Sequence, residues 1–75
     1  MFVTFDDAGG SSDRIGVNSE QVLYGRPSGE DATELLMTNG EKLVVGHAFL
    51  EVVYVLKHGH PKEQGGYKKA DLGFA

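Results

Sequence analysis

The chain has 75 residues, 40% of them hydrophobic, and its eleven acidic side chains outnumber seven basic ones to give a formal net charge of −4. A length of that order encloses one small core, which excludes a second domain. With no cysteine there is neither a disulfide framework nor a thiolate metal site, and a reducing, cytoplasmic location is the expectation.

The acidic excess is uneven. Residues 1–56 hold nine acidic and three basic side chains, or −6, whereas residues 57–75 hold four basic and two acidic, or +2. Counterion release requires clustered Lys and Arg, so a body of this charge is not built chiefly to neutralise phosphates. The longest apolar run, Leu43 to Leu56, is broken by Gly46, His47 and Glu51 and is too short to span a bilayer. The N-terminal "MFVTFDDAGG" has neither a basic region nor a signal-like apolar stretch.

In chain order, "MFVTF" reads as a first strand, ended by the turn formers of "DDAGGSSD". "RIGVN" follows as a second, with Ile15 and Val17 on one face. "NSEQ" is a turn, and "VLYGR" a third strand that stops at Pro27 and Gly29. "TELLMTNGEKLVV" is a hairpin about Asn39-Gly40, a dipeptide suited to a type I′ turn. Across it Leu35 and Met37 share a face with Leu43 and Val45, while Leu36 and Val44 point the other way. Apolar residues on both faces imply a curved sheet or a partly closed barrel.

Gly46 ends the last strand, and residues 47–57 read as three turns of helix, with a sixth strand the competing reading of "VVYV". Helical spacing places Phe49, Val52, Val53 and Leu56 in one stripe against the sheet, with Glu51 opposite. Leu50 and Tyr54 form a second apolar strip to one side, and Val55 lies on the other flank. The expected fold is α+β: a small antiparallel, curved β-meander of about five strands with one C-terminal helix packed on it. Residues 1–57 form that single domain, and residues 58–75, rich in glycine and mildly basic, form a flexible tail.

Four groupings bear on chemistry. His58 and His60, with His47, are the only imidazole cluster, but a structural zinc site needs four ligands, and no metal or cofactor is expected. Asp6, Asp7 and Asp13 lack the alternating order and closing glutamate of a calcium loop. Ser11 and Ser12 sit in "GGSS", which matches neither a phosphate loop nor a nucleophile elbow, so the chain is not expected to be an enzyme. Lys57, Lys62, Lys68 and Lys69, interleaved with Tyr67, offer a short nucleic-acid-binding tail that would gain from charge and ring stacking.

From Ile15 to Leu56 the residues "IGVNSEQVLYGRPSGEDATELLMTNGEKLVVGHAFLEVVYVL" resemble the small flagellar-operon proteins of the FlbD (SwrD) family. The shared marks are Asn18, Val22, the Thr38-Asn39-Gly40 turn, Leu43-Val44-Val45 and the Glu51-Val52 step. The resemblance implies a small strand-rich module without catalysis that acts through protein contacts. A fainter likeness to the strand-rich DNA-binding domain of LytTR regulators runs through the same segment, where the acidic charge argues against DNA binding.

The expected function is therefore a non-enzymatic interaction or regulatory module, self-associating or bound to a protein partner through Leu50, Tyr54 and Val55 on the helix. The alternative is a nucleic-acid-associated regulator that uses the basic tail.

Overall fold

The computed structural model describes residues 1–9, 14–63 and 65–68. Five strands and one helix follow in order: β1 (Phe2–Asp6), β2 (Arg14–Asn18), a 3-10 turn over Ser19–Gln21, β3 (Val22–Pro27), β4 (Thr33–Met37), β5 (Lys42–Val45) and α1 (Phe49–His58). This is the α+β meander with a C-terminal helix that the residue pattern predicts.

The strands form two antiparallel sheets, β1–β2 and β3–β4–β5. Among the described residues they meet at a bridge between Asp7 and Val45 reinforced by the Gly46 N–H donating to the Asp6 carbonyl at 2.8 Å. A Cβ at Gly46 would lie 3.1 Å from the Asp7 carbonyl oxygen, so the absence of a side chain there lets β1 and β5 approach. At the far side the Thr38 N–H donates to the Gln21 carbonyl, tying the 3-10 turn to the β4–β5 hairpin. The sheets thus curve around one core, as two-faced apolar strands imply.

Alternation along β4 and β5 fills that core. Leu35, Met37 and Val45 are buried with Val3, Phe5 and Val17, and Leu43 packs against them, whereas Leu36 is half-buried and Val44 exposed. Thr33 is the one buried polar residue among those described, and its hydroxyl donates to the His47 carbonyl at 2.8 Å. That bond removes the cost of enclosing both groups dry.

Two local expectations are corrected. The Asn39-Gly40 turn is not type I′, because Asn39 keeps a negative φ and only Gly40, at +86°, is left-handed. The Gly40 N–H donates to the Met37 carbonyl and the Met37 N–H to the Glu41 carbonyl, so Thr38, Asn39 and Gly40 form a three-residue loop, a type I turn followed by a glycine bulge. Asn39 Oδ1 accepts the Glu41 N–H at 2.9 Å, a local bond that suits this loop.

The helix is also turned about its axis relative to the expected stripe. Val52 and Val55 are the buried positions and Leu56 packs beside them, while Phe49 and Val53 are only half-buried. At 100° per residue this is a rotation of roughly 60°. The cause lies at the helix start. Ala48 offers no capping side chain, and the helix is anchored instead by His47 Nδ1 against Glu51 Oε2 at 2.8 Å. Glu51 is drawn in beside the sheet rather than left opposite it, which carries Val55 into the core at 4% exposure. Val55 is therefore a core residue of this chain, not an exposed flank of the helix.

Candidate interaction surfaces

His47, read from the sequence only as a distant third imidazole, is a junction. Its Nε2 accepts the Asp6 N–H at 2.9 Å, its Nδ1 faces Glu51, and its ring lies 5.7 Å from that of Phe5. The arrangement fits a neutral ring with its proton on Nδ1, donating to the carboxylate. Because Nε2 is occupied by a backbone donor, the dyad fixes the helix to β1 and offers no free base. The pairing of a histidine at a helix entrance with a glutamate four residues on was the available sequence signal. Among the described residues no three His, Asp or Glu side chains converge on a common point for a metal ion.

The second helix strip is partly covered. Leu50 and Tyr54 are half-buried. Around the Tyr54 ring stand those of His58 at 4.3 Å, Tyr67 at 5.5 Å and His60 at 6.1 Å. Gly59, left-handed at φ +88°, ends the helix with its N–H on the Val55 carbonyl and turns the chain back over Tyr54. The returning segment is held by the Lys62 N–H donating to the Tyr67 hydroxyl and by Lys62 Nζ donating to the Gly66 carbonyl, both at 3.0 Å. Of the residues proposed for nucleic-acid contact, Tyr67 is thus turned onto the helix and Lys62 is hydrogen-bonded. Lys57 and Lys68 are exposed in the same region, and Lys69 lies outside the described residues. Ser11, Ser12 and Asp13 also lie outside them.

Among the described residues, the large apolar side chains left most open are on strands or, for Met1, just before one. Phe2 is 72% exposed, Leu23 61%, Met1 47%, Tyr24 46% and Val44 37%. Phe2 lies across a bare backbone, since a Cβ at Gly16 would sit 2.5 Å from its Cζ. Met1 leans on Gly59 in the same manner, its Sδ 2.5 Å from where that Cβ would be. Register places Tyr24 opposite Leu36, Arg26 opposite Glu34, Glu34 opposite Val44 and Leu36 opposite Lys42, so all six project from one outer face. Leu23 stands beside them at the register shift in β3. Arg26 pairs with Glu34 at 3.1 Å, an exposed contact of small energetic weight. Sequence alternation places Leu36 and Val44 on this face, but Leu23 and Tyr24 join them only through the bulge.

A cleft of about 350 Å³ opens where the two sheets diverge. One wall is β2 from Ile15 to Asn18, and the other is the β4–β5 hairpin, with Met37, Thr38, Asn39, Glu41 and Leu43. It has no counterpart in the sequence reading, because it depends on where β1 and β5 part.

No protein-family profile, curated protein or solved structure matches this chain. The architecture itself is that of a small α+β meander that exposes apolar side chains on the outer side of its three-stranded sheet.

Proposed function

We propose that the protein is a small non-enzymatic interaction module that self-associates through the outer face of β3–β4–β5. The observation that carries this reading is the group of Leu23, Tyr24, Leu36 and Val44, two of them at 46% exposure or more, gathered on one outer face of the sheet. Contiguous apolar surface of this kind marks contact sites. The occupant is a second copy of the chain. Arg26 is paired with Glu34 within the chain and Lys42 shares their face, so a two-fold arrangement would set Lys42 of one copy against the Glu34 carboxylate of the other, and an isologous interface needs that self-complementarity. The resemblance of residues 15–56 to a family of small non-catalytic proteins is in keeping with such a role.

The test is mass in solution by size-exclusion chromatography with light scattering, from micromolar to near-millimolar concentration. The wild type is expected to associate, and Tyr24→Glu to remain monomeric while folded, as judged by an unchanged circular dichroism spectrum. Tyr54→Glu serves as a control on the helix and should leave the mass unchanged. A wild type that stays monomeric at every concentration rejects self-association.

A further inference from the structure

The cleft between the sheets borders an open strand edge. In an antiparallel pair the residues alternate between those that exchange hydrogen bonds and those whose backbone groups point away. The Ser19 N–H donates to the Met1 carbonyl at 2.8 Å, which makes Met1–Ser19 a bonded pair. Counting inward along the register, Val3–Val17 and Phe5–Ile15 are bonded, and Phe2–Asn18 and Thr4–Gly16 are the outward ones. The far side of β1 agrees with this phase. There the Thr4 carbonyl accepts from Arg14, the Asp6 N–H goes to His47 and the Asp6 carbonyl accepts from Gly46.

On β2, the Gly16 N–H and carbonyl and the Asn18 N–H therefore point away from β1. No backbone partner for them occurs among the described residues. They point to the side where the cleft lies, since Ile15, Gly16, Val17 and Asn18 line it consecutively. The apolar Ile15, Met37 and Leu43 line the cleft with that edge, and so does Glu41.

We propose that β2 is a docking edge for an extended peptide segment of a partner protein, added as an antiparallel or parallel strand. Its backbone pairs with Gly16 and Asn18, and one aliphatic side chain enters the cleft. An edge of main-chain donors and acceptors beside a pocket for an alternate side chain is the arrangement by which sheets accept added strands. A compact small molecule would leave that edge unmatched. The segment is basic on either side of its apolar residue. Glu41 in the lining and the −6 carried by residues 1–56 favour that charge. The site is separate from the β3–β5 face, and it extends the reading of the protein as an interaction module to a second kind of partner.

The probe is a blocked heptapeptide that alternates lysine with valine around a central leucine, titrated into the full-length ¹⁵N-labelled chain. The expected result is saturable shifts of the Gly16 and Asn18 amides together with slowed hydrogen exchange at both. Two ligand-side controls leave the protein's fold untouched. Methylation of alternate peptide nitrogens should weaken binding by roughly tenfold where it removes a pair of backbone bonds, and replacement of lysine by glutamate should abolish it. Binding that ignores N-methylation, or that shifts the helix and not β2, overturns the proposal, as does the absence of saturable shifts at millimolar peptide. The translational diffusion coefficient read from the same samples reports self-association independently, so loss of one reading does not remove the other.

Discussion

Leu35 and Gly25 face each other across β3 and β4, and their contact can be tested as a pair. Leu35 is fully buried, and a Cβ built at Gly25 would lie 2.9 Å from its Cδ2 and 3.7 Å from Thr33 Cγ2. Leu35→Ala removes three carbon groups, about 2.4 kcal/mol by transfer alone, and the cavity left behind raises this to roughly 3–4 kcal/mol. A chain of this size has a total stability on the order of 4–11 kcal/mol, so the variant should lose a large share of it and melt early. Gly25→Ala forces Leu35 from its place and should cost about 1 kcal/mol, the overpacking term outweighing the gain from replacing glycine in a strand. In the double variant the new methyl occupies space the leucine has vacated. Its cost should fall below the sum of the two single costs by about 1–2 kcal/mol. Urea unfolding of the four proteins, followed by far-ultraviolet circular dichroism, completes the cycle. Additivity to within about 0.5 kcal/mol would refute this packing.

The hairpin loop separates two turn chemistries: Asn39→Gly should destabilise by about 0.5–1 kcal/mol, because it loses the bond to the Glu41 N–H and adds chain freedom at a negative φ. In a type I′ turn the same change would be neutral or favourable, and urea midpoints distinguish the two. Thr33→Val should cost about 1–3 kcal/mol, since it leaves the His47 carbonyl without its hydroxyl donor; a variant as stable as the wild type would mean that water replaces that donor. For the helix phase, Val55→Ala should destabilise by about 1–2.5 kcal/mol and Val53→Ala by less than half of that, as a buried position differs from a half-buried one; equal losses would contradict the rotation derived from Glu51. Tyr67→Ala should shift the ring proton resonances of Tyr54 in the nuclear magnetic resonance spectrum, and an unchanged Tyr54 spin system would place the returning segment elsewhere.

How much of this was legible in the sequence depends on the range of the interaction involved. Strand positions followed from local alternation and turn residues: "RIGVN" matches β2 residue for residue, and the inward set Leu35, Met37, Leu43 and Val45 occupies the core side. The turn type was not legible, because Asn-Gly suits either loop and the choice rests on which residues of the flanking strands pair. Helix phase failed for a similar reason. The valines and leucines of α1 offer two adjoining apolar stripes, and the choice between them is made by His47, which is held in turn by Asp6 forty-one residues earlier. The expected contact strip shifted accordingly. Val55 entered the core, Tyr54 gained the rings of His58 and Tyr67, and the open apolar surface fell to Leu23 and Tyr24, whose common exposure follows from a bulge that no local pattern announces. The β2 edge and its cleft likewise arise only from tertiary placement.

The central claim, contact through the outer face of β3–β5, is tested most directly by a dilution series of the wild-type protein recorded as amide nitrogen–proton correlation spectra. Self-association through this face gives concentration-dependent shifts at Leu23, Tyr24, Leu36 and Val44, while Leu50, Val52 and Val55 on the helix stay fixed. Spectra that do not change with concentration, or changes confined to Leu50 and Tyr54, would contradict it.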